Sequence, residues 1–381
     1  MVYLAESVTM VENRAKALVE RRVDLEMICP YEPGKPIDEV RRELGLERIT
    51  KLASNENPSG PSPHVVDTLN RSNLELHQYP DYDGYYLRTA LAAKLGVGYD
   101  EIVLGAGSAE IMRLIADGYL ERGDEALTAD ICFPVYENVT RIAGAVPVAV
   151  PLDGKLDYDL ERMLQAVTPR TRVVFIASPN NPTGRTIPQA DLQSFLERLP
   201  PTVLCALDLA YCEYVEPRPD EDHLALVRRF PNLVLLRTFS KVYGLAGLRI
   251  GYGIACPDVA GWLSRTRIPF NTSTAAQVAA RVALEDQGHV ERSVTLNRAM
   301  RSLLVAEAPS FGFRAYPSWG NFVLLEGPRD AQTVFDHLVR RGIVVRPLRN
   351  LRLASCIRVT TGTEEQTREF IGAMREFMGR G

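Results

Sequence analysis

Lys241 stands where an amine could act as a nucleophile. It follows the apolar run 233–236, Ser240 precedes it directly, and Arg249 comes eight residues later. Burial at the end of a strand favours the neutral amine, which can form a Schiff base with an aldehyde. The Ser240 hydroxyl and the Arg249 guanidinium can bind a phosphate. These residue types predict a site for pyridoxal 5′-phosphate (PLP), with a solvated surface charge as the ordinary alternative for a lysine.

Asp208, Tyr211 and Asn181 would supply further polar contacts to such a cofactor. Asp208 ends the apolar run 202–207, and a buried carboxylate is costly unless it is paired. A protonated pyridine nitrogen would pair with it and keep the ring electron-withdrawing. A helix N-cap or a salt bridge is the alternative. Tyr211 and Asn181 can each donate a hydrogen bond to the phenolic oxygen of the ring, although a structural tyrosine and an ordinary turn would also explain them.

The segment 105–110 predicts where a phosphate would bind. It joins a strand to a helix, and its small residues let backbone N–H groups converge on an anion at the helix N-terminus. Ser108, Ala109 and Glu110 are the candidates there. The sequence has no GxxxxGK[ST] motif, which argues against a Walker-type nucleotide site.

Tyr136 and Arg358 are two further candidates. Tyr136 can stack on the pyridine ring, although packing in the core explains a tyrosine equally well. Arg358 lies among apolar residues of a predicted strand, where a guanidinium needs an anion. A substrate carboxylate or phosphate would serve, and an internal salt bridge is the alternative.

The composition excludes several classes of protein. Of the 381 residues, 46% are hydrophobic and 24% are charged, which suffices for a sizeable core. A net charge of −4 without a basic tail argues against nucleic-acid binding. No apolar stretch approaches the ~20 residues that cross a membrane, and the N-terminus lacks a signal-peptide pattern. The six cysteines are scattered without a CxxC pair, so we expect free thiols in the cytoplasm and no metal site.

Apolar runs alternating with helical periodicity predict an α/β fold with a mainly parallel sheet and with function at the carboxyl ends of its strands. The candidate strands are 101–104, 125–128, 146–150, 173–177, 203–207, 234–236 and 250–254. A smaller α+β part follows, with strands at 322–325 and 357–360, and residues 7–24 predict a helix. We expect an N-terminal arm and part of the small domain in 1–60, a large domain in 61–289 and a small C-terminal domain in 290–381.

Together these motifs resemble the PLP-dependent aminotransferases of fold type I, class I and II. The matching residues stand in the family's order and spacing, and the resemblance covers nearly the whole chain. They are Asn181 in Asn-Asn-Pro-Thr-Gly, Asp208, Tyr211, Ser240, Lys241 and Arg249. The resemblance implies a large PLP-binding domain with a mainly parallel seven-stranded sheet and a smaller α+β domain. It also implies that Lys241 is the Schiff-base lysine and that Asp208 partners the pyridine nitrogen.

Within that family the chain is most similar to the histidinol-phosphate aminotransferases. The segments that carry this similarity are 30–31, 53–58, 78–80, 342–347 and 357–360. It implies a homodimer with shared sites, in which Tyr79 reaches the partner's cofactor phosphate and Tyr31 reaches the partner's substrate pocket. It also implies that Arg346 and Arg358 bind the substrate's anionic group. Asn55, in the second segment, is a further substrate-binding candidate.

The resemblance implies a reaction between L-histidinol phosphate and 2-oxoglutarate that gives imidazole-acetol phosphate and L-glutamate. Arg349 and Arg352 stand where many members carry a Tyr-Gly-Leu-Pro-like turn. An aromatic amino acid aminotransferase of the same subgroup is therefore the alternative. A PLP-dependent decarboxylase and a non-catalytic PLP-binding module are further alternatives.

Overall fold

The computed structural model describes residues 48–379 without a gap and, before them, only residues 22, 26, 28, 39, 41, 42, 45 and 46. The predicted substrate residue Tyr31 lies outside the described residues, and so does nearly all of the predicted helix 7–24.

The strands from residue 48 onwards are β1 (Thr50–Lys51), β2 (Ile102–Gly105), β3 (Glu125–Ala129), β4 (Val146–Val150), β5 (Thr171–Ala177), β6 (Leu204–Asp208), β7 (Leu233–Thr238), β8 (Gly251–Ile254), β9 (Arg314–Ala315), β10 (Phe322–Glu326), β11 (Ile343–Val344), β12 (Arg346–Leu348) and β13 (Leu353–Thr360). The α-helices of the same part are α1 (Pro63–Arg71), α2 (Tyr85–Leu95), α3 (Ser108–Tyr119), α4 (Val135–Ala143), α5 (Leu160–Gln165), α6 (Gln189–Arg198), α7 (Asp220–Arg229), α8 (Pro257–Thr266), α9 (Thr274–Glu285), α10 (Gln287–Glu307), α11 (Ala331–Val339) and α12 (Glu364–Gly379).

A seven-stranded sheet in the order β2-β8-β7-β6-β5-β3-β4 forms the centre of the fold. Strand β8 runs antiparallel to β2 and β7, and the other neighbouring strands are parallel. The predicted mainly parallel α/β sheet is therefore confirmed. Each of the seven candidate strands is present with ends within two residues of the prediction. Apolar runs separated by helices and ended by polar or glycine residues locate such strands well.

Both faces of this sheet are covered, which explains why its strands are apolar throughout. Val173 and Phe175 of β5 pack in the cluster on one face, and Val174 and Ile176 pack in the cluster on the other. Successive side chains of a strand point to opposite faces, so a strand with helices on both sides needs an apolar residue at each position.

A second, antiparallel sheet with the order β12-β13-β10-β9 packs against α10 and α11, and α12 contributes to the same apolar cluster. The predicted strands at 322–325 and 357–360 are confirmed as parts of β10 and β13. Strands β1 and β11 form a separate two-stranded parallel sheet. The short strands β1, β9, β11 and β12 are not predicted because two or three residues carry no periodicity. The predicted domain boundaries remain predictions.

The segment that follows β1 is held by both the two-stranded sheet and the antiparallel sheet. The N–H of Leu52 donates to the carbonyl of Val344, and the N–H of Thr360 donates to the carbonyl of Leu52, over 2.7 and 2.9 Å. Residues 53–57 are thereby fixed beside β13. This segment therefore lies next to residues far along the chain. The N–H of Asn55, for example, donates to the hydroxyl of Thr360, which is 305 positions later.

Candidate active site

The loops that carry the predicted site residues meet at one edge of the central sheet. Gly105 at the end of β2 and Thr238 at the end of β7 are both register partners of Gly251, the first residue of β8. Asp208 at the end of β6 is the register partner of Ala177 at the end of β5. The carboxyl edge of the sheet therefore gathers segments that are distant in sequence, as expected for an open α/β sheet.

Lys241 lies just beyond this edge and is half-buried. Its Nζ donates a hydrogen bond to the backbone oxygen of Ser54 over 3.4 Å. The same nitrogen lies 5.5 Å from the centre of the Tyr211 ring. The structure therefore brings Lys241 and Tyr211 together, and it adds the segment after β1 as a third wall of the pocket.

Asp208 is a buried carboxylate with two neutral donors. It is 6% exposed. Its Oδ1 accepts a hydrogen bond from the N–H of Ala210 over 3.0 Å, and its Oδ2 accepts one from the Tyr136 hydroxyl over 2.7 Å. Burial raises the pKa of Asp208, while Tyr136, the Ala210 N–H and the charge of Lys241 act in the opposite direction. A cation such as a protonated pyridine nitrogen would fit this carboxylate, because it would favour the ionised form.

Tyr211 is held by a short chain of hydrogen bonds. Asn55 Nδ2 donates to the Tyr211 hydroxyl oxygen over 2.9 Å, and the Thr360 hydroxyl donates to Asn55 Oδ1 over 3.0 Å. Burial raises the pKa of Tyr211, so its hydroxyl stays protonated. Because the oxygen already accepts from Asn55, the proton is available to another acceptor, such as the phenolic oxygen of a cofactor.

Asn55 is a predicted site residue, and Thr360 is one that the sequence does not indicate. Asn55 remains a predicted substrate-binding residue; it is 1% exposed, and the contact that the structure shows is with Tyr211. Its φ of 55° is a left-handed conformation that asparagine tolerates better than most residues. Thr360 has no sequence signal, because a threonine is an ordinary residue of a strand.

A cradle for an anion lies between the first turn of α3 and the segment after β7. Ser108 and Ala109 begin α3, and Gly107 precedes them with a φ of 83°. Arg249 Nη1 donates to the Ser240 hydroxyl over 3.3 Å, and its Nη2 donates to the carbonyl of Ala106 over 3.2 Å. The structure thus brings together the residues predicted to bind phosphate.

Two glycines leave this cradle open. A Cβ atom on Gly107 would lie 2.6 Å from Arg249 Nη2. A Cβ atom on Gly251 would lie 2.7 Å from the backbone nitrogen of Ser108. Free backbone N–H groups at a helix N-terminus beside a guanidinium suit a phosphate.

Glu110 supports the loop before α3 from its other side. Its Oε2 accepts hydrogen bonds from the N–H of Ala106 and from Asn271 Nδ2, the latter over 2.7 Å. A carboxylate would repel a bound phosphate, so this geometry suits a role in fixing the loop rather than a direct contact with the anion.

Arg346 and Arg358 are directly opposite each other on the antiparallel strands β12 and β13. Arg358 Nη1 donates to Asn181 Oδ1 over 2.5 Å, and its Nη2 donates to the carbonyl of Ala53 over 2.6 Å. Guanidinium groups bind carboxylate and phosphate groups through paired N–H donors. The pair therefore forms a candidate anion site, and Arg358 joins it to the predicted cofactor residue Asn181.

Tyr136 and Tyr79 lie in very different surroundings. Tyr136 is 1% exposed, and its ring is parallel to that of Phe175, with centres 5.3 Å apart and an angle of 3°. Tyr79 is 81% exposed and stacks on Phe270 with centres 4.5 Å apart. The first therefore touches the pocket through Asp208, whereas the second belongs to the outer surface.

The two extra arginines of the loop between β12 and β13 form ion pairs of their own. Arg349 Nε lies 3.5 Å from Asp330 Oδ2, and Arg352 Nη1 lies 4.0 Å from Asp130 Oδ2. Arg352 has a φ of 61°, a left-handed conformation that a glycine adopts without strain.

The described part of the chain has neither a membrane-spanning helix nor a metal cluster. Within residues 48–379 and the few described before them, no helix has the length and apolar character to cross a membrane. Over the same residues, no cluster of three or more histidine, cysteine, aspartate or glutamate side chains is arranged to hold a metal ion.

Comparison with known proteins gives the same family over almost the whole chain. The description "Aminotransferase class I and II" matches residues 47–374. The histidinol-phosphate aminotransferase of Moorella thermoacetica is 45% identical over 352 residues, which cover 92% of this chain and 91% of that protein. Histidinol-phosphate aminotransferase 2 of Methylococcus capsulatus is 47% identical over 353 residues, which cover 91% and 95%.

Solved structures agree with this. The histidinol-phosphate aminotransferase of Sinorhizobium meliloti in complex with pyridoxal-5′-phosphate superposes with a TM-score of 0.86 at 28% identity, covering 96% of this chain and 99% of that chain. The chain belongs to the class I and II aminotransferase family and has the fold of that family.

Gly251 provides a test of the anion cradle. In the Gly251→Ala variant the new methyl group meets backbone atoms of Ser108, Gly107 and Arg237 at 2.7 to 2.8 Å, none of which can rotate away. Such overpacking costs about 1–3 kcal/mol. We expect the affinity of the apoprotein for PLP, measured by titration of absorbance, to fall about tenfold or more.

Gly247→Ala is the matched control, because it lies in the same segment and a Cβ there meets nothing within 4 Å. Its PLP affinity should equal that of the unmodified protein. A folded Gly251→Ala variant that binds PLP as tightly as this control would remove the cradle from the site.

Proposed function

We propose that this chain transfers the amino group of L-histidinol phosphate to 2-oxoglutarate, giving imidazole-acetol phosphate and L-glutamate, with PLP as its cofactor. The observation that carries the proposal is the opposed pair Arg346 and Arg358. Arg358 donates to the carbonyl of Ala53, next to Ser54, whose carbonyl accepts from Lys241. The pair occurs in a chain whose relatives over nine-tenths of its length are histidinol-phosphate aminotransferases.

The residues of the pocket suit each polar group of PLP. The phosphate would bind at the N–H groups of Ser108 and Ala109 with Ser240 and Arg249. The ring nitrogen would face Asp208, whose buried carboxylate favours a cationic partner. The phenolic oxygen would accept hydrogen bonds from Tyr211 and Asn181. The aldehyde would be held by the Lys241 amine.

When bound, PLP supplies an aldehyde carbon that takes up the amino group and a ring that withdraws electrons from the substrate's α-carbon. Once the substrate amine has replaced it at the aldehyde carbon, Lys241 Nζ would be the base that takes the α-proton and delivers it to that carbon of the cofactor. Tyr211 can fix the proton of its hydroxyl toward the cofactor because Asn55 occupies its oxygen from the other side. Asp208 keeps the ring nitrogen protonated.

The two arginines determine which substrates enter. Histidinol phosphate carries a phosphate and no carboxylate, whereas glutamate carries two carboxylates. One pocket must therefore accept both kinds of anion in the two half-reactions. Guanidinium groups bind phosphate and carboxylate alike through paired N–H donors. The Arg358 contact with Asn181 also aligns the anion site with the cofactor residues.

A homodimer with shared sites is part of the proposal. Tyr79, Tyr82 and Phe270 are 81%, 41% and 41% exposed, and their rings contact one another through Phe270 to form an apolar surface patch. Exposed patches of this kind mark interfaces. The patch adjoins the anion cradle, since Asn271, directly after Phe270, donates to Glu110 at the start of α3. A second copy placed here would bring the partner subunit's Tyr79 toward the phosphate.

A cytoplasmic location completes the proposal. The described cysteines 132, 205, 212, 256 and 356 are free thiols, which reducing compartments preserve.

Substrate choice is tested by following the absorbance of the bound cofactor while L-histidinol phosphate, L-glutamate or L-phenylalanine is added separately. We expect the first two to convert the cofactor. Arg358→Ala should raise KM for both histidinol phosphate and 2-oxoglutarate about 10- to 100-fold, as for loss of charged hydrogen bonds. Arg349→Ala, which removes an exposed arginine paired with Asp330, should change them less than about twofold.

Conversion by phenylalanine with histidinol phosphate inert would assign the aromatic alternative instead. Unchanged KM values in Arg358→Ala would remove this arginine from the substrate site.

Sharing of sites is tested by mixing two defective variants, Lys241→Ala and Tyr79→Ala, under conditions that exchange subunits. If Tyr79 serves the other subunit's site, each mixed dimer contains one intact site, so an equal mixture recovers about a quarter of full activity. If Tyr79 serves its own subunit, mixing recovers no activity, and a fully active Tyr79→Ala variant would remove Tyr79 from the site. Retained activity in Lys241→Ala alone would end the assignment of the cofactor-binding lysine.

A further inference from the structure

We propose that Tyr136 is a positioning residue that acts through Asp208: its hydroxyl holds the carboxylate in place and ionised for the cofactor's ring nitrogen, and its ring does not stack on the cofactor. The inference rests on the proposed PLP chemistry and deepens it.

The hydrogen bond between the two side chains is short and buried. Tyr136 Oη donates to Asp208 Oδ2 over 2.7 Å, and the two residues are 1% and 6% exposed. A hydrogen bond to a charged acceptor in a dry environment is stronger than one between neutral groups in water.

The direction of this hydrogen bond is fixed, because burial and the nearby Asp208 raise the pKa of Tyr136 well above its ordinary value. The phenol is therefore a donor, and Asp208 is the acceptor. The hydrogen bond in turn lowers the pKa of Asp208 against the effect of burial.

The position of the hydroxyl is set by contacts at the other end of the residue. The ring lies parallel to that of Phe175 on β5, the strand next to the one that ends in Asp208. The Thr140 hydroxyl donates to the Tyr136 carbonyl over 2.7 Å and fixes the first turn of α4. One face of the ring packs against Phe175, and with only 1% of the residue exposed neither face opens to the pocket, which leaves the hydroxyl as the part of Tyr136 that affects it.

Asp208 then has one oxygen held by Tyr136 and the other by the N–H of Ala210. Both donors are neutral, so neither competes with a cationic ring nitrogen for the charge. Loss of the hydroxyl would leave the carboxylate with one donor, free to rotate and easier to protonate. Cofactor affinity and the rate of the chemical step would both decline, while substrate contacts would stay.

A double-mutant cycle between Tyr136 and Asp208 tests whether Tyr136 acts through this carboxylate. Tyr136→Phe keeps the ring against Phe175 and removes only the donor. We expect the PLP dissociation constant of the apoprotein to rise about 10- to 100-fold, which is the range for a lost hydrogen bond to a charged group. In the Asp208→Ala background the same substitution should change it less than about twofold. In the holoenzyme, kcat should fall while KM for histidinol phosphate stays within about twofold.

Tyr158→Phe is the matched control. Its hydroxyl accepts from the N–H of Ala177 over 3.1 Å and lies 3.3 Å from Asn180 Oδ1, so it is a neighbouring tyrosine hydroxyl that is not bonded to Asp208. Its effect on PLP affinity should be small in both backgrounds. Phe175→Leu keeps the Tyr136 hydroxyl but removes the packing that holds the Tyr136 ring. It should weaken PLP binding only when Asp208 is present.

Equal effects of Tyr136→Phe with and without Asp208, or an effect no larger than that of Tyr158→Phe, would overturn the proposal. If Tyr136→Phe does not fold, the Phe175→Leu cycle decides in the same way. An unmodified protein that binds no PLP would instead contradict the proposed function, so the two failures are distinguishable.

Discussion

A carboxylate buried at the end of a central strand is the constraint on which the rest of the site depends. Asp208 is 6% exposed, and an isolated charge at such a place is unfavourable. Folding must therefore surround it with donors from several elements: Tyr136 from α4, the N–H of Ala210 from the loop after β6, and the charge of Lys241 from the segment after β7. Three connections of the sheet are thus positioned relative to one group of atoms, which explains why the chemistry-bearing residues converge there.

The second half of the pocket comes from the smaller sheets and depends on the segment after β1. Backbone hydrogen bonds tie Leu52 to both β11 and β13, so Ser54 and Asn55 are presented to Lys241 and Tyr211. Arg358 donates to the carbonyl of Ala53 from β13. The central sheet provides the carboxylate and the amine, while the smaller region provides the guanidinium groups. A substrate bound as proposed, with its anion at the guanidinium groups and its amine at Lys241, would bridge both.

The sequence predicted the central sheet and the clustering of polar residues at its edge, because long apolar runs with polar ends have few other interpretations. It could not predict which way a side chain faces. Tyr136 is consistent with stacking or with core packing, and only the adjacent Phe175 and Asp208 distinguish them. Asn55 and Thr360 meet across 305 positions, a distance over which no periodicity extends. Tyr79 is exposed, and a surface residue acquires a role only through a partner.

Protonation of Asp208 connects the stability of the fold to occupation of the site. Burial raises its pKa in the folded chain above the ordinary value, so the unfolded chain loses this proton at lower pH. Its contribution to stability is therefore complete below the ordinary pKa and declines as the pH rises toward the folded value. The Tyr136 hydroxyl reduces this penalty but does not remove it. A cationic ring nitrogen acts in the same direction with a full charge, because it favours the carboxylate in the folded state alone. Cofactor binding and folding are therefore coupled through Asp208. Without the cofactor, the folded chain must either bury the charge of this carboxylate or keep it protonated.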